Sequence, residues 1–92
     1  GYNQIKLTEG TLFLVTGAAG FIGSNLVEAL VKQGYKVRAL DDFSNGKRET
    51  IDQLKQNYEF EFIEGSITDC DICNTAAAGV DYILHQAAWG SV

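Results

Sequence analysis

A short apolar segment runs directly into a group of regularly spaced glycines, and this junction constrains the fold more than any other feature. Residues 11–16 form an almost wholly apolar run rich in β-forming residues, which is typical of a parallel strand covered on both faces. Gly17, Gly20 and Gly23 follow at once. A buried strand that ends in a glycine-rich turn is therefore predicted at the start of the fold.

An amphipathic helix is predicted next, over residues 20–33, because apolar side chains recur there at helical spacing. Gly34 is a natural end for this helix, and residues 35–41 have the composition of a second strand. The apolar stripe of the helix consists of Ile22, Leu26, Val27, Leu30 and Val31.

The rest of the chain repeats the alternation of strand and helix. Such a βαβαβαβ pattern indicates an α/β fold with a Rossmann-like parallel sheet, helices on both faces and strand order 3-2-1-4. A full doubly wound domain has about six strands, so we expect residues 11–92 to be a partial domain with more chain after it. Residues 1–10 are interpreted as an extension or tag remnant. The further elements are a turn at 42–46, a helix at 47–57, a strand at 59–64, a helix capped by Thr68 or Asp69 and ending at Ala78, and a strand at 80–85.

Composition excludes several classes of protein. The chain has 92 residues, 46% of them apolar and 21% charged, which fits one small globular domain. A net charge of −5 without a basic stripe argues against nucleic acid as a partner. No apolar run is long enough to span a membrane. The two cysteines cannot form a disulfide framework, so we expect a cytoplasmic protein.

The glycines lie where a phosphate-binding loop would lie, between a strand and a helix. Glycine permits a tight turn, close approach of backbone to a pyrophosphate, and close packing of helix against strand. The spacing is GxxGxxG, whereas the general dinucleotide pattern is GxGxxG. The alternative interpretation is a glycine-rich turn without a ligand.

Asp41 lies at the end of the second predicted strand, 18 residues after Gly23. An acidic residue at this position can bind the ribose hydroxyls of a dinucleotide and repel the 2′-phosphate of NADP, and Asp42 adds charge of the same sign. The pattern therefore favours NAD. Lys47 and Arg48 argue the other way, because a cation could accommodate that phosphate. The alternative for Asp41 is a turn-forming role.

Four segments of the chain form a recognisable set: residues 16–24 (TGAAGFIGS), 40–46 (LDDFSNG), 64–67 (EGSI) and 79–88 (GVDYILHQAA). Taken together, they resemble the extended short-chain dehydrogenase/reductase family, the NAD-dependent sugar epimerases and dehydratases. Residues 84–92 (LHQAAWGSV) are most similar to the UDP-N-acetylhexosamine 4-epimerases within it. The resemblance implies an enzyme with NAD as cofactor, a nucleotide-sugar substrate and a homodimeric intact form.

The resemblance also implies a set of cofactor-binding residues. Relatives commonly have Asn at the position of Asp42 and Asp at the position of Ser66, where it accepts a hydrogen bond from the adenine amino group. The implied contacts are the pyrophosphate at Gly17, Gly20, Phe21, Ile22 and Gly23, the ribose at Asp41, the ribose and adenine at Asp42, Ser44, Asn45 and Gly46, the adenine at Ser66 and Ile67, and the underside of the cofactor at Gln86, Ala87 and Ala88.

No catalytic residue is assigned within the chain. In the resembled family a Tyr base, in a Tyr-x-x-x-Lys motif after the fourth strand, assists oxidation of the substrate alcohol by NAD, whereas Tyr2 and Lys6 precede the first strand and match by coincidence. We therefore expect a chain that binds the cofactor without turnover. The alternatives are the same fold in a sugar dehydratase or reductase, and a noncatalytic dinucleotide-binding module.

Cys70 and Cys73 form a CxxC pair, which near a βαβ unit can indicate redox chemistry. A metal site would need four ligands, and His85 is the one other soft candidate, so no metal is predicted. We interpret both cysteines as small packing residues and His85 as a packed or hydrogen-bonded residue at a strand end.

Overall fold

The computed structural model describes residues 11–44 and 46–85, which form a four-stranded parallel sheet with three helices. All seven predicted elements are confirmed, with their ends within two residues of the predicted positions. In chain order they are β1 (Leu12–Thr16), α1 (Phe21–Lys32), β2 (Lys36–Asp41), α2 (Arg48–Asn57), β3 (Glu61–Glu64), α3 (Cys70–Ala77) and β4 (Tyr82–His85).

The strand order is β3-β2-β1-β4, as the alternation of strands and helices predicted. β1 pairs with β2 on one side, where Val15 lies opposite Ala39, and with β4 on the other, where Val15 lies opposite Leu84. The chain therefore builds outward from β1 in one direction and then crosses to its other side. In doubly wound sheets this reversal opens a crevice at the carboxyl ends of the strands.

The unbroken apolar sequence of β1 is explained by burial on both faces of the sheet. Val15 packs on one face in a cluster with Val27 of α1 and Ile51 of α2. Leu14 points to the other face, where it packs in a cluster with Ala76 of α3. Helices thus cover both faces, and the Rossmann-like prediction is confirmed.

The ends of the helices follow local chemistry. Gly34 adopts a φ of 94°, which side chains rarely tolerate, and the chain turns there from α1 towards β2. α3 is capped by Asp69, whose Oδ1 accepts hydrogen bonds from Asp71 N at 3.0 Å and Ile72 N at 3.1 Å. Of the two predicted caps, Asp69 is therefore the correct one. No helix in the described ranges is long and apolar enough to cross a membrane.

Arg38 joins the middle of β2 to the last turn of α3, a contact that the sequence did not predict. Its guanidinium donates to Ala76 O at 2.6 Å and Ala78 O at 2.8 Å, and its Nε lies 2.9 Å from a carboxylate oxygen of Glu61. The side chain is only 14% exposed. A cation at the carboxyl end of a helix satisfies carbonyls that have no intrahelical donor, so Arg38 fixes α3 on the sheet.

Replacement of Arg38 by Met should lower the free energy of unfolding by about 1–3 kcal/mol, because charged donors to the α3 carbonyls are lost while the aliphatic stem is kept. Urea denaturation followed by circular dichroism measures the change. Lys36→Met, on an exposed residue of the same strand, is the matched control. Equal losses for the two variants would show that Arg38 does not hold α3.

Candidate functional site

The loop between β1 and α1 is anchored to the end of β2. Gly17 has a φ of 72°, so this turn needs glycine. The amides of Gly17 and Ala18 both donate to Leu40 O, at 2.8 and 3.2 Å. The loop consequently starts at a position fixed by the neighbouring strand.

The amino terminus of α1 faces the carboxyl edge of the sheet without a capping side chain. Gly20 occupies the cap position and provides no side-chain hydrogen bond, and the first turn contains no acidic residue. The first-turn amides of a helix have no intrahelical acceptors, and the helix dipole adds positive potential there. The Phe21 side chain is 84% exposed, so this end of the helix is open. Such an end favours an anion.

Gly23 allows α1 to lie directly on the loop. A Cβ atom at this position would overlap Gly17 O and would lie 2.8 Å from Gly17 C, which is well inside contact distance. At Gly20, by contrast, a Cβ would meet Gly17 O at an ordinary 3.4 Å. Of these two positions, close packing of helix on loop therefore depends on Gly23.

Asp41 ties the loop to the turn after β2. It is only 9% exposed. Oδ2 accepts a hydrogen bond from Ala19 N at 2.8 Å, and Oδ1 accepts one from Phe43 N at 2.6 Å. These two amides compensate for burial of the carboxylate and fix its orientation at the carboxyl edge of the sheet.

The turn after β2 is tightly formed. Asp42 Oδ1 accepts from Ser44 N at 2.9 Å and from Ser44 Oγ at 2.7 Å, and these bonds, the hydroxyl first, lower the pKa of Asp42. Phe43 has a φ of 61°, a conformation that costs a non-glycine residue about 1–3 kcal/mol. Gly46 packs so closely that a Cβ would lie 2.5 Å from Ala19 C. The turn therefore packs in direct contact with the glycine loop.

The side chain of Arg48 is bound by two neighbours, Phe43 of this turn and Glu64. Its guanidinium lies 4.4 Å from the centre of the Phe43 ring, which also contacts Phe62 at 5.6 Å between centroids. It forms two hydrogen bonds with Glu64, at 3.2 and 3.1 Å, and Glu64 raises the pKa of Arg48. These contacts offset the backbone strain at Phe43. Lys47 is exposed, and neither basic residue is among those that line the cleft.

The far wall of the cleft follows β3. Ser66 Oγ accepts from Thr68 N at 3.1 Å and lies 2.7 Å from Thr68 Oγ1, so the two hydroxyls form a pair. The thiol of Cys73 donates to Ile67 O at 3.0 Å. The segment from Gly65 to Thr68 is thus held in place by hydrogen bonds among its own residues and by one from α3.

These walls enclose an open cleft of about 550 Å³ at the carboxyl edge of the sheet, a volume in the usual range for ligand sites. Eleven of the fifteen residues predicted as cofactor contacts line it, and the other four, Asn45, Gln86, Ala87 and Ala88, lie outside the described residues. Three residues line the cleft that were not predicted to do so: Leu40, Gly65 and Thr68. The sequence did draw attention to Gly65, within the EGSI segment, and to Thr68, as a candidate helix cap. The eleven predicted residues that line the cleft are Gly17, Gly20, Phe21, Ile22, Gly23, Asp41, Asp42, Ser44, Gly46, Ser66 and Ile67.

The remaining candidates lie beside the cleft. His85 Nδ1 is 2.8 Å from Thr16 Oγ1, a hydrogen bond between the ends of β4 and β1 that fits the predicted structural role. Cys73 is half-buried, but Cys70 is exposed, so the packing role predicted for Cys70 is wrong. Within residues 11–44 and 46–85, no three His, Cys, Asp or Glu residues are grouped as metal ligands.

Gly23→Ala should lower the free energy of unfolding by about 2–3 kcal/mol, because the added methyl overlaps loop backbone that cannot move away easily. Gly20→Ala is the matched control and should change stability by less than about 1 kcal/mol. Urea denaturation of both variants measures the difference. Similar stabilities for the two would contradict the close packing described for Gly23.

The sequence of this chain is similar to those of known enzymes. The model of the NAD dependent epimerase/dehydratase family matches residues 13–92. UDP-glucose 4-epimerase of Mycolicibacterium smegmatis is 44% identical over 80 residues, 86% of this chain and 26% of that protein. The 3 beta-hydroxysteroid dehydrogenase/Delta 5→4-isomerase of Mycobacterium tuberculosis is 41% identical over 81 residues, 88% of this chain and 20% of that protein.

Solved structures agree with these matches. The Bordetella bronchiseptica enzyme WbmG, crystallised in complex with NAD and UDP, superposes with a TM-score of 0.73 at 35% identity, covering 87% of this chain and 26% of that one. The chain thus spans about a quarter or less of the length of these relatives. The resemblance found in the sequence is confirmed, and the chain belongs to the NAD dependent epimerase/dehydratase family.

Proposed function

We propose that this chain binds NAD in the cleft, with the pyrophosphate at the first turn of α1 and the adenosine ribose at Asp41. The observation that carries the proposal is the meeting of an open, uncapped helix amino terminus with a buried, oriented carboxylate in one cleft. The first attracts a phosphate group and the second accepts hydrogen bonds from hydroxyls. A dinucleotide carries both a pyrophosphate and a ribose, and so offers a partner to each.

The hydrogen bonds of Asp41 leave room for a ribose. Each carboxylate oxygen accepts one amide, from Ala19 or Phe43. An ionised carboxylate offers about four acceptor sites, so two are left for the two adjacent hydroxyls of the ribose. The amides hold the carboxylate in place for these contacts.

The charges of the cleft favour NAD over NADP. Asp41 and Asp42 line it, and no Lys or Arg is among its lining residues within the described part of the chain. A 2′-phosphate at Asp41 would lie beside carboxylate without a cation to balance it. Of the two basic residues that follow the turn after β2, Arg48 is held by Glu64 and by the Phe43 ring, and Lys47 is exposed outside the lining.

The intact protein, on this proposal, is an NAD-dependent nucleotide-sugar 4-epimerase and a homodimer, with the catalytic groups outside this chain. NAD, when bound, supplies reversible hydride acceptance. Support comes from the relative named UDP-glucose 4-epimerase and from WbmG, crystallised with NAD and UDP. Incubation of the intact protein with UDP-glucose and UDP-N-acetylglucosamine, followed by NMR of the products, tests the reaction. A C4 epimer as product supports the epimerase proposal. A dehydrated or reduced sugar would contradict it and indicate a dehydratase or reductase instead.

A second candidate activity is oxidation of a hydroxysteroid. The relative named as a hydroxysteroid dehydrogenase is almost as similar to this chain as the epimerase, at 41% against 44% identity. Both candidates share the NAD-binding role of the cleft. The product analysis with UDP-sugars, repeated with a 3β-hydroxysteroid, separates them.

Asp41→Asn should weaken NAD binding by about 10- to 100-fold, because an amide replaces one charged acceptor of the ribose hydroxyls. It should also reduce the preference for NAD over NADP, since a negative charge is removed. Isothermal titration calorimetry with NAD, NADP and ADP-ribose measures both effects, with circular dichroism to verify folding.

Asp52→Asn is the matched control, because Asp52 is exposed on α2 and lies outside the lining of the cleft, and the same charge is removed. Its effect on NAD affinity should be less than about threefold. An unchanged ratio of NAD to NADP affinity in folded Asp41→Asn would contradict the ribose assignment. A folded wild-type protein that binds neither NAD nor ADP-ribose would overturn the proposed function.

A further inference from the structure

We propose that the cleft is permissive for the purine base of its dinucleotide, and that it binds the hypoxanthine analogue of NAD about as well as NAD itself. The group that contacts the base edge is the hydroxyl pair of Ser66 and Thr68, which lines the β3 end of the cleft. This inference rests on the proposed function and concerns the same site.

The sheet order places the base at this wall. The pyrophosphate position lies at the end of β1 and the ribose carboxylate, Asp41, at the end of β2. β3 is the next strand outward, and its Glu64 is paired with Asp41 in register. Adjacent strands are about 4.8 Å apart, so a group attached to the ribose on its outer side reaches the residues that follow Glu64. Those residues are Gly65, Ser66, Ile67 and Thr68, which all line the cleft.

The wall is held in position before any ligand binds. Gly65 lies against Ile72, whose Cδ1 would be 2.7 Å from a Cβ at that glycine. Ser66 O accepts from Asp69 N at 3.0 Å, and Ile67 O accepts from the thiol of Cys73 at 3.0 Å. The hydroxyl pair therefore has fixed oxygen positions but rotatable hydrogens.

Because a hydroxyl can donate or accept a hydrogen bond, the pair can bind a base edge that presents either a donor or an acceptor. Either Ser66 Oγ or Thr68 Oγ1 can donate in their mutual hydrogen bond. Whichever one donates, the other keeps a free hydrogen, and unused lone pairs are left on the pair. It can thus accept from the 6-amino group of adenine or donate to the 6-oxo group of hypoxanthine.

Other groups of the cleft do not impose a choice of base. The remaining acceptor sites of Asp41 are assigned to the ribose in the proposed function, and Asp42, which follows β2 rather than β3, has its Oδ1 bound to Ser44. Ile67 offers an apolar side chain, which contacts the face of any purine. The base edge is therefore read by the two hydroxyls.

The test compares dissociation constants of NAD and nicotinamide hypoxanthine dinucleotide by isothermal titration calorimetry. The wild-type protein should bind the two within about threefold of each other, because each base edge finds a hydrogen-bond partner. Ser66→Asp introduces an acceptor without a hydrogen, and should favour NAD by about tenfold or more. The ratio cancels the general effect of added negative charge, since both ligands carry the same phosphates.

Thr68→Asp is the second variant, made on an exposed residue, so that the test does not depend on folding of Ser66→Asp. It should shift the ratio towards NAD in the same direction. Thr75→Asp, on exposed α3 surface outside the lining of the cleft, is the control and should leave the ratio unchanged.

The outcomes separate this inference from the proposed function. A wild-type preference for NAD of about tenfold or more would overturn the inference while supporting NAD binding at the cleft. Unchanged ratios in both folded aspartate variants would overturn it as well, because the hydroxyls would then not face the base. Failure of the folded wild-type protein to bind NAD would overturn the proposed function itself.

Discussion

The whole site depends on the hydrogen bonds that the carboxylate of Asp41 accepts. It accepts one amide from the glycine loop, at Ala19, and one from the turn after β2, at Phe43. A buried carboxylate is costly unless it is fully hydrogen-bonded, and here the bonds come from two separate segments. The loop and the turn are consequently held together by the group proposed to bind the ribose, so structural and binding roles coincide in one side chain.

Small residues make that convergence sterically possible. At Gly23 a side chain would overlap the loop backbone, and at Gly46 it would overlap Ala19. The helix, the loop and the turn therefore approach one another to backbone contact. Because backbone rather than side chains forms this side of the cleft, the first-turn amides of α1 are open to a ligand, while the amides of Gly17, Ala18 and Ala19 hold the loop itself. No Lys or Arg of the described residues lines the cleft, so the positive potential there comes from the helix end.

The fold was predictable from the sequence, while the contacts that fix its details were not. β1 is apolar throughout because both of its faces are buried, and glycines mark the turns, so local signals specified the order of the elements. Arg38 interrupts an apolar strand, and nothing local indicates that it caps α3 through Ala76 and Ala78. Arg48 likewise resembles a solvated charge at a helix start, yet Glu64 and the Phe43 ring engage it. These partners are 16 to 40 residues away or depend on an unusual backbone conformation, and spacing cannot reveal them.

Under the proposed function, the cleft combines rigid and adaptable recognition. Helix amides only donate and the Asp41 carboxylate only accepts, so the pyrophosphate and ribose meet groups of fixed polarity. The Ser66 and Thr68 hydroxyls have fixed oxygens but can reverse their donor direction. Discrimination by hydrogen bonding is strong where a mismatched ligand leaves a buried polar group unpaired. A reversible hydroxyl pair avoids that penalty, so selectivity in this cleft resides at the ribose and phosphate rather than at the base.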